Sequence, residues 1–285
     1  MIRQARKEDR AQVKELWTQA FGDDAAAVEL YFRLRHRDED MLVWAERGRV
    51  DGMLSMLPLS LRASDRAYPA RYIYAVATAQ AQRGRGIATA LLRRAGDEIT
   101  ARREAAAVLV PASDGLFGYY AKRGYQTAFA FRAADFDAAS LPPCPREGAL
   151  LPCTAEEYAR IRDRAFGGQP LYARWDEQAI DYALRASCDA ETGNAGAGRL
   201  VCKEAEGVAV WSRTGSEVLV RELGLVGFDV PSALAVLHRA LGAAVYRVRL
   251  APGMSFGEMT PFGMIRWFAS PPALTAPGYL SLALD

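Results

Sequence analysis

The chain has 285 residues, 51% apolar and 25% charged, with a formal net charge of +2. That length allows two ordinary domains with ample core. A charge so close to zero argues against a nucleic-acid binder, which would show a basic face or run. No apolar run approaches the roughly 20 residues of a membrane span, and the charged start from Met1 to Arg10 does not fit a signal peptide.

In chain order, residues 2–5 predict a short strand and 7–21 a helix with Val13, Leu16, Trp17 and Ala20 on one face. Asp23 and Asp24 are candidate caps for a second helix through Val28, Tyr31 and Phe32. Residues 41–46 and 50–61 predict paired strands joined at Arg47-Gly48-Arg49. A third strand is predicted over 72–78, a long helix from Ile87 to about Arg103, and a buried strand over 106–110 ended by Pro111. A short helix over 114–122 and a strand over 125–131 follow.

Leu141-Pro-Pro-Cys-Pro145 is a stiff break and a natural linker. After it come helices at 155–166 and 177–186, a Gly-rich loop expected to be mobile at 189–198, and strands at 199–203, 208–212 and 217–225. A helix at 231–241, opened by Pro231, and a strand at 246–250 complete a series that echoes the first half. The expectation is an internal duplication. The four cysteines, Cys144, Cys153, Cys188 and Cys202, lack CxxC spacing and a nearby histidine, so buried thiols in a reduced, cytoplasmic chain are expected rather than zinc. His36 and His238 fall in helical stretches, where a surface or cap role is expected; a Ser-His-Asp hydrolase is not.

The central stretch carries the chemistry. Between the strand at 72–78 and the helix from Ile87 lies Gln82-Arg-Gly-Arg-Gly86. Two glycines permit a tight turn and close approach of the backbone to a ligand. The arginines add positive charge where the helix already offers free N–H groups and the positive end of its dipole. The stretch therefore reads as an anion site, best suited to a phosphate. A Walker loop would need Lys-Ser/Thr after its last glycine, where Ile87-Ala88 stand, and a dinucleotide loop would need three spaced glycines.

The pattern that fits is Arg83-x-x-Gly86-x-Ala88. It resembles the pyrophosphate loop of GNAT-type N-acetyltransferases, which take acetyl-coenzyme A as co-substrate. A second segment, Leu116-Phe-Gly-Tyr-Tyr-Ala-Lys-Arg-Gly-Tyr125, resembles that family's F-Y-x-K-x-G-F motif, and the element order to about residue 135 is the family's order. The chain also resembles a two-domain relative of the enhanced-intracellular-survival acetyltransferases. The fold implied is α/β (α+β), with tandem GNAT-like domains, each a mixed twisted sheet flanked by helices. The catalytic domain would span 1–140, the linker 141–150, and a degenerate domain without a cofactor loop 151–285. The corresponding turn there, Gly224 to Val230, holds an Asp and no Arg or Lys, which disfavours a pyrophosphate.

The resemblance implies these roles. The backbone of Arg83, Gly84, Arg85, Gly86, Ile87 and Ala88 would hold the pyrophosphate. Val76, Ala77 and Thr78 would meet the pantetheine arm and thioester through main-chain groups. Tyr120 matches the general acid, while Tyr119 is assigned to the core. Ser113 stands where the family often has an Asn that bonds the cofactor, with Gly115 and Leu116 offering further backbone contacts. In the related family a terminal carboxylate acts as base; here the matching residue is Asp285, after the alternating apolar stretch from Tyr279, an edge strand being the other reading. Asp114 is expected to be a helix cap.

The function implied is acetyl-CoA-dependent N-acyl transfer to a small-molecule or peptide amine by direct ternary-complex transfer. A non-catalytic acetyl-CoA-binding regulatory or interaction module is the alternative, and a nucleotide-binding protein using the same loop a third. No nucleic acid, membrane or metal is expected, and homo-oligomerisation is left open.

Overall fold

The computed structural model describes residues 1–64, 66–188 and 192–282. The first half opens with β1 (Ile2–Gln4), α1 (Arg10–Phe21) and α2 (Ala25–Leu34). Asp24 starts α2: its carboxylate accepts from the N–H of Ala27 at 2.7 Å, which satisfies one of the helix's free donors. Asp23 instead accepts from the indole N–H of Trp17 at 2.7 Å. β2 (Met41–Glu46) and β3 (Arg49–Ala63) meet at Arg47 and Gly48, both at positive φ, as a tight two-residue hairpin requires. β4 (Arg66–Thr78), α3 (Ile87–Ala101), β5 (Ala106–Leu109), α4 (Asp114–Ala121) and β6 (Gln126–Asp137) follow.

α3 buries the face its spacing foretold, Ile87, Leu91, Leu92, Ala95 and Ile99. It lies close on β3 because Gly52 is beneath it: a Cβ there would stand 2.6 Å from Ile87 Cγ2.

The second half contains β7 (Ala149–Leu151), α5 (Ala155–Phe166), β8 (Tyr172–Arg174), α6 (Glu177–Ala186), β9 (Ala195–Cys202), β10 (Ala205–Thr214) and β11 (Glu217–Val226). Then come α7 (Val230–Leu241), β12 (Val245–Leu250) and β13 (Glu258–Trp267). Thr154 and Glu157 form a capping box on α5, and Asp176 caps α6. β9 to β11, α7 and β12 repeat the course of β2 to β4, α3 and β5, including a parallel pairing across the helix in each half. Part of the stretch expected to be a mobile loop is strand, since β9 begins at Ala195.

The described strands form one mixed sheet in the order β1-β2-β3-β4-β5-β13-β6-β12-β11-β10-β9-β7, with β8 paired to β3. The mixed sheets expected of the two halves are present and are joined edge to edge. β13 comes from the far end of the chain and sits between β5 and β6, antiparallel to both. β6 pairs on its other side with β12. Each half is thus completed by a strand from the other.

The segment after β13 is also built in. Gly278 N–H donates to Ala128 O at 2.7 Å, and Ala130 N–H to Gly278 O at 3.1 Å. Tyr279 N–H donates to Leu171 O at 2.7 Å, and Ala173 N–H to Tyr279 O at 3.0 Å. The segment therefore runs between β6 and the β8 region, with Tyr279, Leu280 and Ser281 all buried.

Beneath it lies an ion pair with no exposed surface, Arg162 of α5 and Glu222 of β11, with Nε to Oε2 3.0 Å. Tyr158 donates to Glu222 Oε1 at 2.7 Å, and Arg162 Nη1 donates to Tyr172 Oη at 2.7 Å and Ala173 O at 3.0 Å. Arg162 Nη2 donates to Ser281 Oγ at 3.2 Å, Ser281 Oγ donates to Glu222, and Trp175 Nε1 donates to Ser281 O at 2.8 Å. Burial, reinforced by the Glu222 carboxylate, pushes the Tyr158 phenol well up.

Two expectations need correction. Cys188 is exposed and the other three cysteines are half-buried, so these thiols are free but not deeply buried. His36 follows α2 rather than lying on it; its ring packs 4.4 Å from Phe32, and its Nε2 is 2.7 Å from Asp38. Among the described residues no group of His, Cys, Asp and Glu could hold a metal ion, and no helix is long and apolar enough to cross a membrane.

Candidate active site

The site grows from the way β4 leaves its neighbours. β4 pairs in parallel with β5 only from Ala70 to Tyr72, and the match ends at Tyr72 with Val108. On its other edge it stays paired with β3 as far as Thr78. From Tyr74 onward the β5-facing edge of β4 is therefore open, and its peptide groups await another partner. Within this stretch β4 carries one extra residue against β3, and Ala75 takes φ 51°, uncommon for a residue with a Cβ. The buried Thr78 hydroxyl, at the end of the strand, has no hydrogen-bond partner among the described residues.

The basic turn follows. Gly84 and Gly86 take φ 81° and 77°, conformations that glycine adopts without steric cost. Gly86 caps α3 with no side-chain bond, and the first N–H of this helix start to find an acceptor within the chain is that of Ala90, on Gly86 O at 2.9 Å. Among the described residues the backbone N–H groups from Gly84 to Thr89 have no backbone acceptor. Arg83 and Arg85 are exposed beside them, with Arg85 bonded to the Gln82 side chain. Unpaired donors, a helix N-terminus and two guanidinium groups make an anion cradle.

The equivalent end of α7 is closed. Asp229 accepts from the N–H and the hydroxyl of Ser232, both at 2.8 Å, and the backbone bond holds its carboxyl below the usual range. A side chain fills the place that α3 leaves free.

Tyr120, on α4, is 8% exposed and lines a cavity of about 500 Å³. Its hydroxyl has no hydrogen-bond partner among the described residues. Burial first, then neighbouring Tyr119, pushes its pKa up to about 12, so the phenol keeps its proton at working pH. Tyr119 is half-buried, with the Arg123 guanidinium 3.4 Å from its ring centroid, rather than a core aromatic. Arg123, given no role from the sequence, also donates to Thr89 Oγ1 on the first turn of α3, tying α4 to the cradle.

The expected site residues are distributed as follows. Val76, Leu116 and Tyr120 line the cavity together. Ala77 and Thr78 close β4, and Arg83, Gly84, Arg85, Gly86, Ile87 and Ala88 form the turn and the start of α3. Ser113 is the exposed N-cap residue of α4 without a side-chain cap bond, Gly115 is exposed near it, and Asp114 is the first helical residue, not the cap. Asp285 lies outside the described residues; Leu280, Ser281 and Leu282 before it line the cavity.

Both halves build the cavity. Trp17, Tyr74 and Phe131 come from the first, and Tyr182, Arg221, Arg249 and Phe262 from the second. Ala75, Arg221 and Phe262 each lie at a break in strand register, where the skipped residue is re-aimed. Alternation rules read from sequence give no sign of these bulges.

Residues 1–128 match the family model described as an acetyltransferase (GNAT) domain. The N-terminal part of this chain is a GNAT domain. The matched span runs from β1 into β6, so it holds the anion cradle, the open edge of β4 and Tyr120. No curated protein matches the chain.

Among solved structures, a GCN5-related N-acetyltransferase from Anabaena variabilis is similar at 19% identity and TM-score 0.73, covering 93% of this chain and 72% of that one. Eis1 from Mycobacterium abscessus is similar at 16% identity and TM-score 0.71, covering 94% and 73%. A probable N-acyltransferase from Enterococcus faecalis is similar at 15% identity and TM-score 0.72, covering 94% and 72%. At these identities the likeness is one of fold, and it extends through both halves.

Proposed function

We propose that this GNAT chain moves an acetyl group from acetyl-coenzyme A to an amine nitrogen by direct transfer, with both substrates bound at once. The observation that carries the reading is the meeting, at one cavity, of an open strand edge and an unpartnered phenol. The co-substrate supplies an activated thioester. A C–N bond forms and a C–S bond breaks; the nitrogen loses a proton and the sulfur gains one.

The chain's own residues divide this work. N–H groups from Gly84 to Thr89, with Arg83 and Arg85, hold the pyrophosphate. The free peptide groups of Val76, Ala77 and Thr78 orient the arm that leads to the thioester. Leu116 lines the cavity from the α4 side, and Ser113 and Gly115, close to it in the chain, are assigned further contacts to the cofactor. Tyr120 donates its proton to the departing sulfur. A phenol at about 12 gives a proton to an ordinary thiolate, near 8.5, against the equilibrium, so contact must be direct. The burial that raises the phenol raises a thiol beside it too, which narrows that gap.

The proton acceptor is assigned to Asp285. Two residues separate it from Leu282, a chain span of at most about 11 Å. Asp23, the one carboxylate among the described lining residues, is exposed and bonded to Trp17. The second unit, 151–285, has no cofactor cradle in this reading and serves to complete the acceptor side.

Calorimetry with coenzyme A tests the cofactor assignment. One site per chain is expected. Arg83→Glu with Arg85→Glu should weaken it on the order of 100-fold or more, since charge-assisted bonds are lost and repulsion is added. Two sites, or affinity held within a few-fold, would contradict it.

A further inference from the structure

The charges in the acceptor cavity point to a substrate class. Arg221 is the extra residue of the β11 bulge: Val210 faces Glu222, Trp211 faces Val220, and nothing on β10 faces Arg221. Its neighbour Glu222 belongs to the buried network with Arg162 and Tyr158. Arg221 lines the cavity instead. Its Nε is buried without a hydrogen-bond partner, and among the described residues no carboxylate, carbonyl or ring engages its guanidinium. The residue as a whole is half-buried, so its charge is partly withdrawn from water without a partner, and an anion supplied from outside relieves that cost.

The surroundings fix what else the anion must carry. Arg249 lines the same cavity and stacks over Phe131 and Phe262, 5.1 and 5.3 Å from their ring centroids. Trp17, Tyr74 and Tyr182 complete an aromatic wall. A cavity of about 500 Å³ suits a small molecule.

We propose that the acceptor is a small amine bearing a carboxylate and an apolar body, of the hydrophobic amino-acid class, with its carboxylate held by Arg221. This rests on the acyltransferase reading. It does not follow from that reading, because amine acylation alone requires no acceptor anion.

The test compares acetyl-CoA-dependent acylation of matched amines differing only in the carboxylate: phenylalanine with phenethylamine, leucine with 3-methylbutylamine, 6-aminohexanoate with pentylamine. Spermidine is the polycation control. At least one carboxylate member is expected to exceed its partner in kcat/KM by about 10- to 100-fold, the range of a charge-assisted hydrogen bond. Arg221→Gln should erase that preference by raising KM for the carboxylate member while leaving its carboxylate-free partner unchanged. Arg221→Lys should restore part of it. Coenzyme A affinity and melting temperature of the variants control for folding. Equal or better turnover of the carboxylate-free amines or spermidine, or a preference that survives Arg221→Gln, overturns the proposal. Thiol release with none of the amines, despite coenzyme A binding, overturns the acyltransferase reading and this proposal with it.

Discussion

Tyr120→Phe is expected to lower acetyl transfer by about 10²- to 10⁴-fold and to leave coenzyme A affinity within a few-fold of the parent, the range for loss of a positioned acid. The ring keeps its packing against Tyr119 and Tyr125, at 5.2 and 5.8 Å between centroids, so stability should barely change. What is lost is the hydroxyl of a residue that lines the cavity, and it has no structural partner among the described residues. Since burial raises this phenol, its charge state should not produce an alkaline fall in rate at ordinary working pH. In stability, a raised pKa contributes below the unfolded value near 10 and is lost as pH climbs towards about 12. Steady-state rates across pH, beside calorimetry with coenzyme A, check both statements. Turnover within a few-fold at every pH would make Tyr120 a packing residue. Asp285→Asn belongs in the same experiment: as proton acceptor its loss should depress the rate most at low pH, whereas an unaltered profile removes its side-chain carboxyl from that role.

Arg162→Met is expected to cost about 3–5 kcal/mol, because it strands the Glu222 carboxylate in the interior. For a chain of this size the melting temperature should fall by on the order of 10 °C. Activity should fall further than stability explains. Arg162 donates to both the hydroxyl and the carbonyl of Ser281, at 3.2 and 3.4 Å, and so pins the segment that lines the cavity. The pairing of Arg162→Met with Glu222→Leu separates the two effects. It removes both buried charges, and stability should largely recover, as apolar replacement of buried pairs often allows. The anchor on Ser281 stays missing, so turnover should not recover. Full recovery of both would reduce the network to a packing device.

The strand, turn and helix proposed to hold the cofactor were legible as elements in the sequence because they are local. Strand, basic glycine turn and helix stand side by side, and the apolar spacing of α3 from Ile87 to Ile99 is unbroken. The acceptor side was not, because it is assembled at long range. β13 contains Pro261 and Gly263, residues that signal against a strand, yet register breaks on either side of Gly263 accommodate them. Arg221 belongs to an alternating stretch that predicts a strand but not its bulge. Arg162 lies among charged residues of α5 and reads as part of a solvated face, although its partners are 10 to 119 residues away. The final segment showed its apolar alternation, and only the fold supplies Ala128, Ala130, Leu171 and Ala173 as its backbone partners.

Acyl transfer within one ternary complex is tested most directly by incubating the intact chain with acetyl-CoA and the matched amines and following free thiol and product mass together. One acetylated amine is expected for each thiol released, with no acetyl group retained on the protein, and with both signals lost together in Tyr120→Phe. Thiol release without acetylated amine, or acetylated protein appearing before product, would contradict direct transfer at this site.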